Sequence, residues 1–243
     1  MSPRRTRATA RRVLRQLRHD PRTIGLLLAV PCVLQILVHE LFVGRPRVFQ
    51  SIGVPLLGLF PFVAMFIVTS ITMLRERTTG TLERLLTTPI ARGDLLAGYG
   101  IAFALFAAVQ ATLVSVVSFG LLGLEADDRL GIVALAIGNA VLGMSLGLFA
   151  SAFARTEFQA VQFMPAFVLP QILLCGLLVP REEMADWLRA LSALLPLTYA
   201  YDALARLSAG EIDARFWLDV AVVVGVTVLA LVLGAATLRR RTP

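Results

Sequence analysis

The chain has 243 residues, of which 57% are hydrophobic and only 16% are charged, and its mean hydropathy is +0.78. Soluble domains carry about 25% charged residues, so the composition excludes a soluble globular domain and predicts an integral membrane protein. The formal net charge is +7, and all 23 basic residues are arginine. Because a P-loop requires a lysine, these 243 residues hold no P-loop nucleotide site, and lysine Schiff-base chemistry is excluded as well.

Six apolar segments are long enough to span a bilayer, which takes about 20 helical residues. They cover residues 24–43, 52–74, 95–124, 130–153, 158–179 and 216–238. Sixteen of the 23 arginines fall in four segments on one side of the predicted spans, 1–23, 75–94, 154–157 and 239–243. The positive-inside rule therefore predicts both termini in the cytoplasm. The sequence therefore predicts an all-α polytopic membrane protein, with a basic segment at 1–23 followed by a six-helix transmembrane domain at 24–243.

The segment before the first span has helical periodicity. Apolar residues recur at spacings of three and four, and most arginines fall on other faces; the apolar positions are Ala10, Val13, Leu14 and Leu17. This pattern predicts an amphipathic basic helix on the inner membrane surface. The alternative is an arginine-rich tail that only enforces topology. Either way, the positive charge is explained by the cytoplasmic side and anionic headgroups, so no nucleic-acid partner is expected.

The pattern in the loop between the second and third spans predicts a short amphipathic helix. Leu82, Leu85 and Leu86 share one face, while Glu83 and Arg84 lie elsewhere. Upstream, Gly80 permits a sharp turn, and downstream Pro89 marks the end of the helix. The polar face is mixed in sign, which suits a protein partner better than a lipid surface, although a helix that floats on headgroups is the alternative.

The same loop carries the most specific resemblance. The pattern Glu76…Gly80-Thr81-Leu82-Glu83-Arg84-Leu85-Leu86…Pro89 resembles the motif of type-2 ABC exporter permeases, in particular the daunorubicin/multidrug-resistance group of bacteria. The similarity covers nearly the whole chain. It includes the basic N-terminal helix, the Asp20-Pro21-Arg22 start of the first span and the stretch from Leu195 to Leu204.

The resemblance implies a function. In that family the helix between spans two and three is a coupling helix that docks on a separate ATP-binding subunit. It implies that residues 76–89 do so here, with Glu76, Glu83 and Arg84 as polar contacts and the leucines as packing contacts. It further implies two permeases plus two ATPases, with ATP and Mg on the partner ATPase and no cofactor in this chain. The expected protein is a multi-pass permease of the bacterial plasma membrane that exports a lipophilic drug or antibiotic by alternating access.

The outer segment between spans five and six is too long for a turn. It predicts two short helices, one with an apolar stripe from Trp187 to Leu195 and one from Tyr199 to Leu207, separated at Pro196. Neither is long enough to span the bilayer, and Trp187, Tyr199 and Tyr201 suit an interface with headgroups. The resemblance implies re-entrant helices that close the outer end of the pathway; an interfacial anchor without a gating role is the alternative.

The spans contain few polar groups, and no Asp, Glu or Arg lies in the middle of any of them. Ion-coupled transporters usually bury ionisable groups, so the pattern favours a pathway for a largely apolar substrate. Residues of spans two and five are a hypothesis for its lining, with plain lipid or helix contacts as the alternative. They are Phe60, Phe62, Met65, Gln162, Phe163, Phe167 and Gln171. Other cargoes stay open, namely a polysaccharide, a lipid-linked glycan or sodium.

Two further kinds of site are disfavoured. Two histidines and two cysteines at wide spacing, His19, His39, Cys32 and Cys175, make neither a metal site nor a disulfide framework. Ser145 lies in a Gly-x-Ser-x-Gly match, but the match falls inside a predicted transmembrane helix, where no base is positioned to activate it. An intramembrane serine hydrolase is therefore a remote alternative, and no catalytic residue is expected.

Overall fold

A computed structural model describes residues 3–79 and 92–237. The regular secondary structure of these residues is helical, with no β-strand among them. The α-helices in chain order are α1 (Pro3–Arg18), α2 (Pro21–Leu41), α3 (Pro46–Thr78), α4 (Arg92–Gly120), α5 (Arg129–Ala150), α6 (Glu157–Phe163), α7 (Leu169–Leu174), α8 (Asp186–Ser192), α9 (Pro196–Ser208) and α10 (Ala214–Ala236).

The starts of the helices follow local chemistry. Asp20, Asp128 and Asp213 precede α2, α5 and α10, and each carboxylate accepts a hydrogen bond from a backbone N–H of the first turn. Such caps satisfy donors that have no partner within the helix. Proline occupies the first position of α2, α3 and α9, where its missing N–H costs nothing. These signals explain why α3 begins at Pro46, earlier than the predicted boundary at residue 52.

The α3–α5 pair forms the centre of the bundle. A Cβ atom on Gly143 would lie 2.2 Å from the Phe62 carbonyl oxygen, and one on Gly147 would lie 2.4 Å from that of Phe66. Only glycine therefore permits this close approach of the two backbones, the arrangement expected of small residues at membrane helix contacts. Helices α2, α4 and α10 surround the pair.

The outside of the bundle is apolar. Leu26 and Leu37 of α2, and Val228 and Val232 of α10, are each more than half exposed. Among the described residues, five helices are long and apolar enough to cross a membrane, namely α2, α3, α4, α5 and α10. Soluble proteins rarely expose so much contiguous apolar surface, so this surface is suited to contact with lipid or with another apolar protein face.

The predicted span 158–179 differs from the other five. It consists of α6, a π-helical turn at Met164–Val168, and α7, which ends at Leu174. Pro165 and Pro170 each remove a backbone donor, so a regular hydrogen-bond ladder cannot run through this segment. The helical path nevertheless runs without a break from Glu157 to Leu174, and its passage across the membrane stays a prediction.

The shorter predicted helices are present as secondary structure. Helix α1 covers the basic N-terminal segment, and α8 and α9 occupy the outer segment, with Pro196 at the start of α9. Their positions relative to a membrane, and the cytoplasmic location of the termini, stay predictions.

Candidate functional site

A polar cluster joins three helices beside the predicted coupling segment. Arg12 of α1 places Nη2 3.5 Å from Glu76 Oε2 of α3, and the same nitrogen donates a hydrogen bond to the Tyr99 hydroxyl of α4. Gln16 Nε2 donates to Glu76 Oε1 over 3.4 Å. We call Arg12, Gln16, Glu76 and Tyr99 the inner cluster.

Two members of the inner cluster are buried, so their polar groups need partners within the protein. Tyr99 is fully buried and Glu76 is only 7% exposed. A buried carboxylate is costly unless it is paired and hydrogen-bonded, and Arg12 is the cation that pairs with it. The end of α3 is thus attached to α1, and the attachment reaches α4 through the Tyr99 hydroxyl.

Backbone contact also holds α1 against α4. A Cβ atom on Gly98 would lie 2.5 Å from Thr9 Cβ and 2.9 Å from the Thr6 carbonyl oxygen. Ala10 and Val13 of α1 are buried at the same interface. The amphipathic pattern in the sequence thus corresponds to a helix whose apolar face packs on protein.

Two further contacts link the end of α3 to the rest of the chain. Arg75 Nε and Nη2 donate to the two carboxylate oxygens of Glu157 over 2.7 and 2.9 Å, which connects α3 to the start of α6. The hydrogen bond from Arg75 holds the pKa of Glu157 below its usual value. Arg77 Nη2 donates to Thr237 Oγ1 over 3.5 Å, at the end of α10.

Most of the predicted coupling helix lies outside the described residues. This applies to Gly80, Thr81, Leu82, Glu83, Arg84, Leu85, Leu86 and Pro89. The two helices that flank the segment are described, since α3 ends at Thr78 and α4 begins at Arg92. The inner cluster contacts both of them, so it fixes the two ends from which the segment extends.

A second polar cluster lies at the other end of α3. Arg181 pairs with Asp202 over 2.9 Å, and its Nε donates to Ser192 Oγ over 3.2 Å. Arg206 lies 3.4 Å from carboxylate oxygens of both Asp213 and Asp219. We call Arg181, Ser192, Asp202, Arg206, Asp213 and Asp219 the outer cluster. It ties α9 to α8 and α10 and borders a cavity of about 480 Å³.

The distance between the clusters matches a bilayer. Tyr201, next to Asp202, lines a small cavity with Pro55 of α3, whereas Glu76 belongs to the inner cluster. Glu76 lies 21 positions after Pro55 along α3, which corresponds to a rise of about 30 Å, close to the thickness of a hydrocarbon core.

The outer acids differ in their electrostatics. Burial raises the pKa of Asp202, and the nearby Arg181 partly offsets that rise. The pKa of Asp213 is lowered, chiefly because it accepts a hydrogen bond from the Phe216 backbone. Sequence reasoning missed this cluster. The feature of the sequence that could have indicated it is the group of acidic residues in the outer loop, together with Asp219, the sixth residue of α10.

The predicted outer-gate residues lie on α8 and α9 but do not form one surface. Trp187 is 69% exposed. The Tyr199 hydroxyl donates to the Ala193 carbonyl over 2.7 Å, which fastens α9 to the turn that precedes it. Tyr201 packs near Gly176, whose φ of +104° is a conformation that glycine readily adopts.

The hypothetical pathway residues differ in burial, although Phe60, Phe62 and Phe163 belong to one hydrophobic cluster. Phe62 and Met65 are fully buried and Phe60 is partly buried, whereas Phe167 is 58% exposed and Gln162 is exposed. Phe163 packs edge-on against Phe167. Gln171 is buried, and its Oε1 accepts from the Leu197 backbone over 3.3 Å. No cavity found among the described residues contains the set, and its role stays a prediction.

Ser145 is a packing residue in this structure. It is fully buried, and its hydroxyl donates to the Val141 carbonyl one turn earlier, over 2.8 Å. His39 lies beside Glu40 and packs edge-on against Phe49, and His19 contacts the Arg15 carbonyl. The described contacts of Ser145 thus include neither histidine.

The long apolar helices define the class, which is a multi-pass membrane protein. The family model described as ABC-2 type transporter matches residues 4–207, and the chain belongs to this family. The family and its bacterial relatives indicate the plasma membrane.

Several curated relatives are similar over part of their length. The "Probable multidrug ABC transporter permease YbhR" of Escherichia coli is 29% identical over 150 residues, which are 60% of this chain and 40% of that protein. YbhS, of the same description, is 29% identical over 178 residues, 72% of this chain and 47% of that one. The "Linearmycin resistance permease protein LnrN" of Bacillus subtilis is 24% identical over 138 residues, 57% and 36% of the two chains. The chain thus spans less than half the length of these relatives.

Proposed function

We propose that the chain is the permease subunit of an ATP-driven exporter, and that it moves a lipophilic, drug-like substrate out of the cell by alternating access. Membership of the ABC-2 type transporter family supports the transporter class. The names of the relatives, two multidrug permeases and a linearmycin resistance permease, support the choice of substrate.

The proposal includes a separate ATPase subunit. The motif at residues 80–89 would dock on it, and a second permease copy would complete an assembly of two permeases and two ATPases. Each ATPase would carry the ATP and Mg, which agrees with the lack of lysine in this chain.

The single structural observation that carries the mechanism is the inner cluster. Glu76 was expected to contact the ATPase, but its buried carboxylate pairs with Arg12 of the same chain. We therefore assign Glu76 to transmission rather than docking. A force applied to the segment between α3 and α4 would reach α1 and both helices together, because Arg12 touches Glu76 and Tyr99.

Exchange of the docking charge tests this proposal. Glu83→Arg reverses one charge on the predicted coupling helix, and Glu183→Arg is the matched control, since Glu183 is an exposed glutamate outside the motif. Co-purification of the chain with the ATPase encoded beside its gene should weaken for Glu83→Arg and persist for the control, while both proteins insert into the membrane. An ATPase that never co-purifies with the wild-type chain would refute the proposal.

Within the transporter class, the alternative cargoes are a polysaccharide, a lipid-linked glycan or sodium. Competition of each candidate with a lipophilic drug for transport would separate them. The serine hydrolase alternative is separated by Ser145→Ala. Because the Ser145 hydroxyl is occupied by the Val141 carbonyl, we expect unchanged ATPase association and transport. A hydrolytic activity abolished by this substitution would favour the alternative.

A further inference from the structure

Helix α1 carries a row of arginines on the face that points away from the protein. Arg4, Arg7, Arg11 and Arg15 follow one another at spacings of three, four and four residues, so they share one side of the helix. All four are exposed. Among the described residues, none of the four guanidinium groups forms an ion pair with a carboxylate. We call these four residues the arginine row.

The arginine row borders an open cavity between α1 and α4. The cavity measures about 1,200 Å³, and its lining also includes Leu14, His19 and Ile101 of α4. Among the described residues, its lining includes no acidic side chain. The cavity therefore offers positive charge together with apolar surface, a combination that favours an anion with a hydrophobic part.

An apolar groove adjoins this cavity at Ile101. The groove measures about 420 Å³ and runs between α4, α5 and α10. Small residues of α4 form one wall, and Leu231 and Val232 of α10 form another; the small residues are Gly93, Ala97, Gly100 and Ala104. Ile101 belongs to both spaces and is 54% exposed. A molecule could thus occupy both at once, with its charged end on α1 and its apolar end on α4.

We propose that the arginine row and the adjoining groove form a binding site for one anionic phospholipid. The arginines bind the headgroup phosphate, and an acyl chain lies in the groove below Ile101. Guanidinium groups match phosphate oxygens in charge and in hydrogen-bond geometry. A nucleic acid or a free phosphate would use the arginines alone and leave the groove empty, which is why the structure favours a lipid.

Lipid binding at this site would act on the inner cluster. Arg12 lies about a quarter turn around α1 from the arginine row. It lines the same cavity and pairs with Glu76. A lipid that bridges the arginine row and α4 holds α1 in its place, so it stabilises the contact between Arg12 and the end of α3. Anionic lipid would therefore raise the unfolding temperature by linkage.

Two variants separate the parts of the site. In the first, Arg4, Arg7, Arg11 and Arg15 are all changed to Gln, and the matched control changes four exposed arginines elsewhere, Arg45, Arg47, Arg129 and Arg215. In the second, Gly100→Leu fills the groove. A Cβ atom on Gly100 meets nothing within 4 Å, and the same is true of Gly225 on α10, so Gly225→Leu is its control.

Native mass spectrometry of the detergent-purified full chain measures binding of phosphatidylglycerol and of phosphatidylcholine with the same acyl chains. We expect the wild type to prefer phosphatidylglycerol. The arginine-row variant should lose on the order of 100-fold in affinity, because each arginine near an anionic surface contributes severalfold. Gly100→Leu should lose about tenfold through the excluded methylene groups, and both controls should retain affinity.

Three results would overturn the proposal. They are equal binding of the two lipids by the wild type, unchanged affinity in Gly100→Leu, and displacement of phosphatidylglycerol by inorganic phosphate at equal concentration. Because Gly100→Leu leaves the charge distribution intact, its result stays decisive even if the arginine-row variant fails to insert. The measurement needs no ATPase, so it is independent of the transport proposal.

Discussion

The contact between Arg12 and Glu76 should be energetically stronger than other ion pairs at the same end of the bundle. Glu76→Gln and Arg12→Gln, singly and together, form a double-mutant cycle that isolates the pair. The Arg75–Glu157 pair is the matched control, because it also attaches the end of α3 to another helix and has shorter distances.

Burial sets the expected magnitude. Loss of one partner from a fully buried pair costs about 3–5 kcal/mol, whereas exposed pairs contribute about 0–1 kcal/mol. The side chains of Glu76 and Arg12 are 9% and 31% exposed, against 59% and 52% for Arg75 and Glu157. Because Arg12 remains partly hydrated and keeps the Tyr99 hydroxyl, we expect a coupling energy of about 1–3 kcal/mol. The control pair should give less than about 1 kcal/mol.

Unfolding in mixed micelles with increasing denaturing detergent, followed by circular dichroism, measures the four free energies of each cycle. If the Arg75–Glu157 pair couples as strongly as Arg12–Glu76, burial is not what makes the inner cluster strong. The argument that it holds α1, α3 and α4 together would then be wrong.

Three other predictions concern stability and coupling. Gly143→Ala should destabilise the chain by about 1–3 kcal/mol, because its Cβ would lie 2.2 Å from the Phe62 backbone. Gly138→Ala on the same helix is the control: its Cβ meets nothing within 4 Å, so it should be neutral or stabilising. Unfolding in denaturing detergent compares the two variants. Asp20 and Asp213 have pKa values below 3.8, because the Thr23 side chain and the Phe216 backbone, respectively, donate to them. Their stabilisation is therefore present above pH 3.8 and lost as pH falls through the lowered pKa, and a double Asp→Asn variant should show a smaller loss of unfolding temperature between pH 6 and pH 3. Glu76→Gln should bind the ATPase normally yet transport less per ATP hydrolysed, and an unchanged ratio would contradict the transmission role.

The helices themselves could be predicted from the sequence, because a membrane span needs only a long apolar run and its flanking charges. The prolines and Asp caps fix most helix starts within a few residues. Pro165 and Pro170 were visible in the predicted fifth span, but the choice between a bend and a π-helical turn depends on packing around them. Gly143 and Gly147 are small residues of a kind that allows close helix contact, but that α3 is their partner follows only from the structure.

The polar clusters could not be predicted in the same way, because their partners are distant in the sequence. Arg12 and Tyr99 are 87 residues apart. In the sequence, Arg12 is one of several arginines in a basic segment, and its contact with Tyr99 forms only because α1 packs against α4. Asp219 likewise lies near the boundary of a predicted span, and only the fold places Arg206 beside it. The motif includes Glu76, but the partner of Glu76 within the chain depends on tertiary structure.

The most direct test of the central claim is ATP-dependent transport by purified components. Proteoliposomes that contain the chain and the ATPase encoded beside it should accumulate a lipophilic fluorescent drug, when ATP is supplied on the face that exposes the ATPase. Accumulation should be absent without the ATPase and strongly reduced by Glu83→Arg. Transport that proceeds equally well without ATPase or ATP, or that is driven by an ion gradient, would contradict the account.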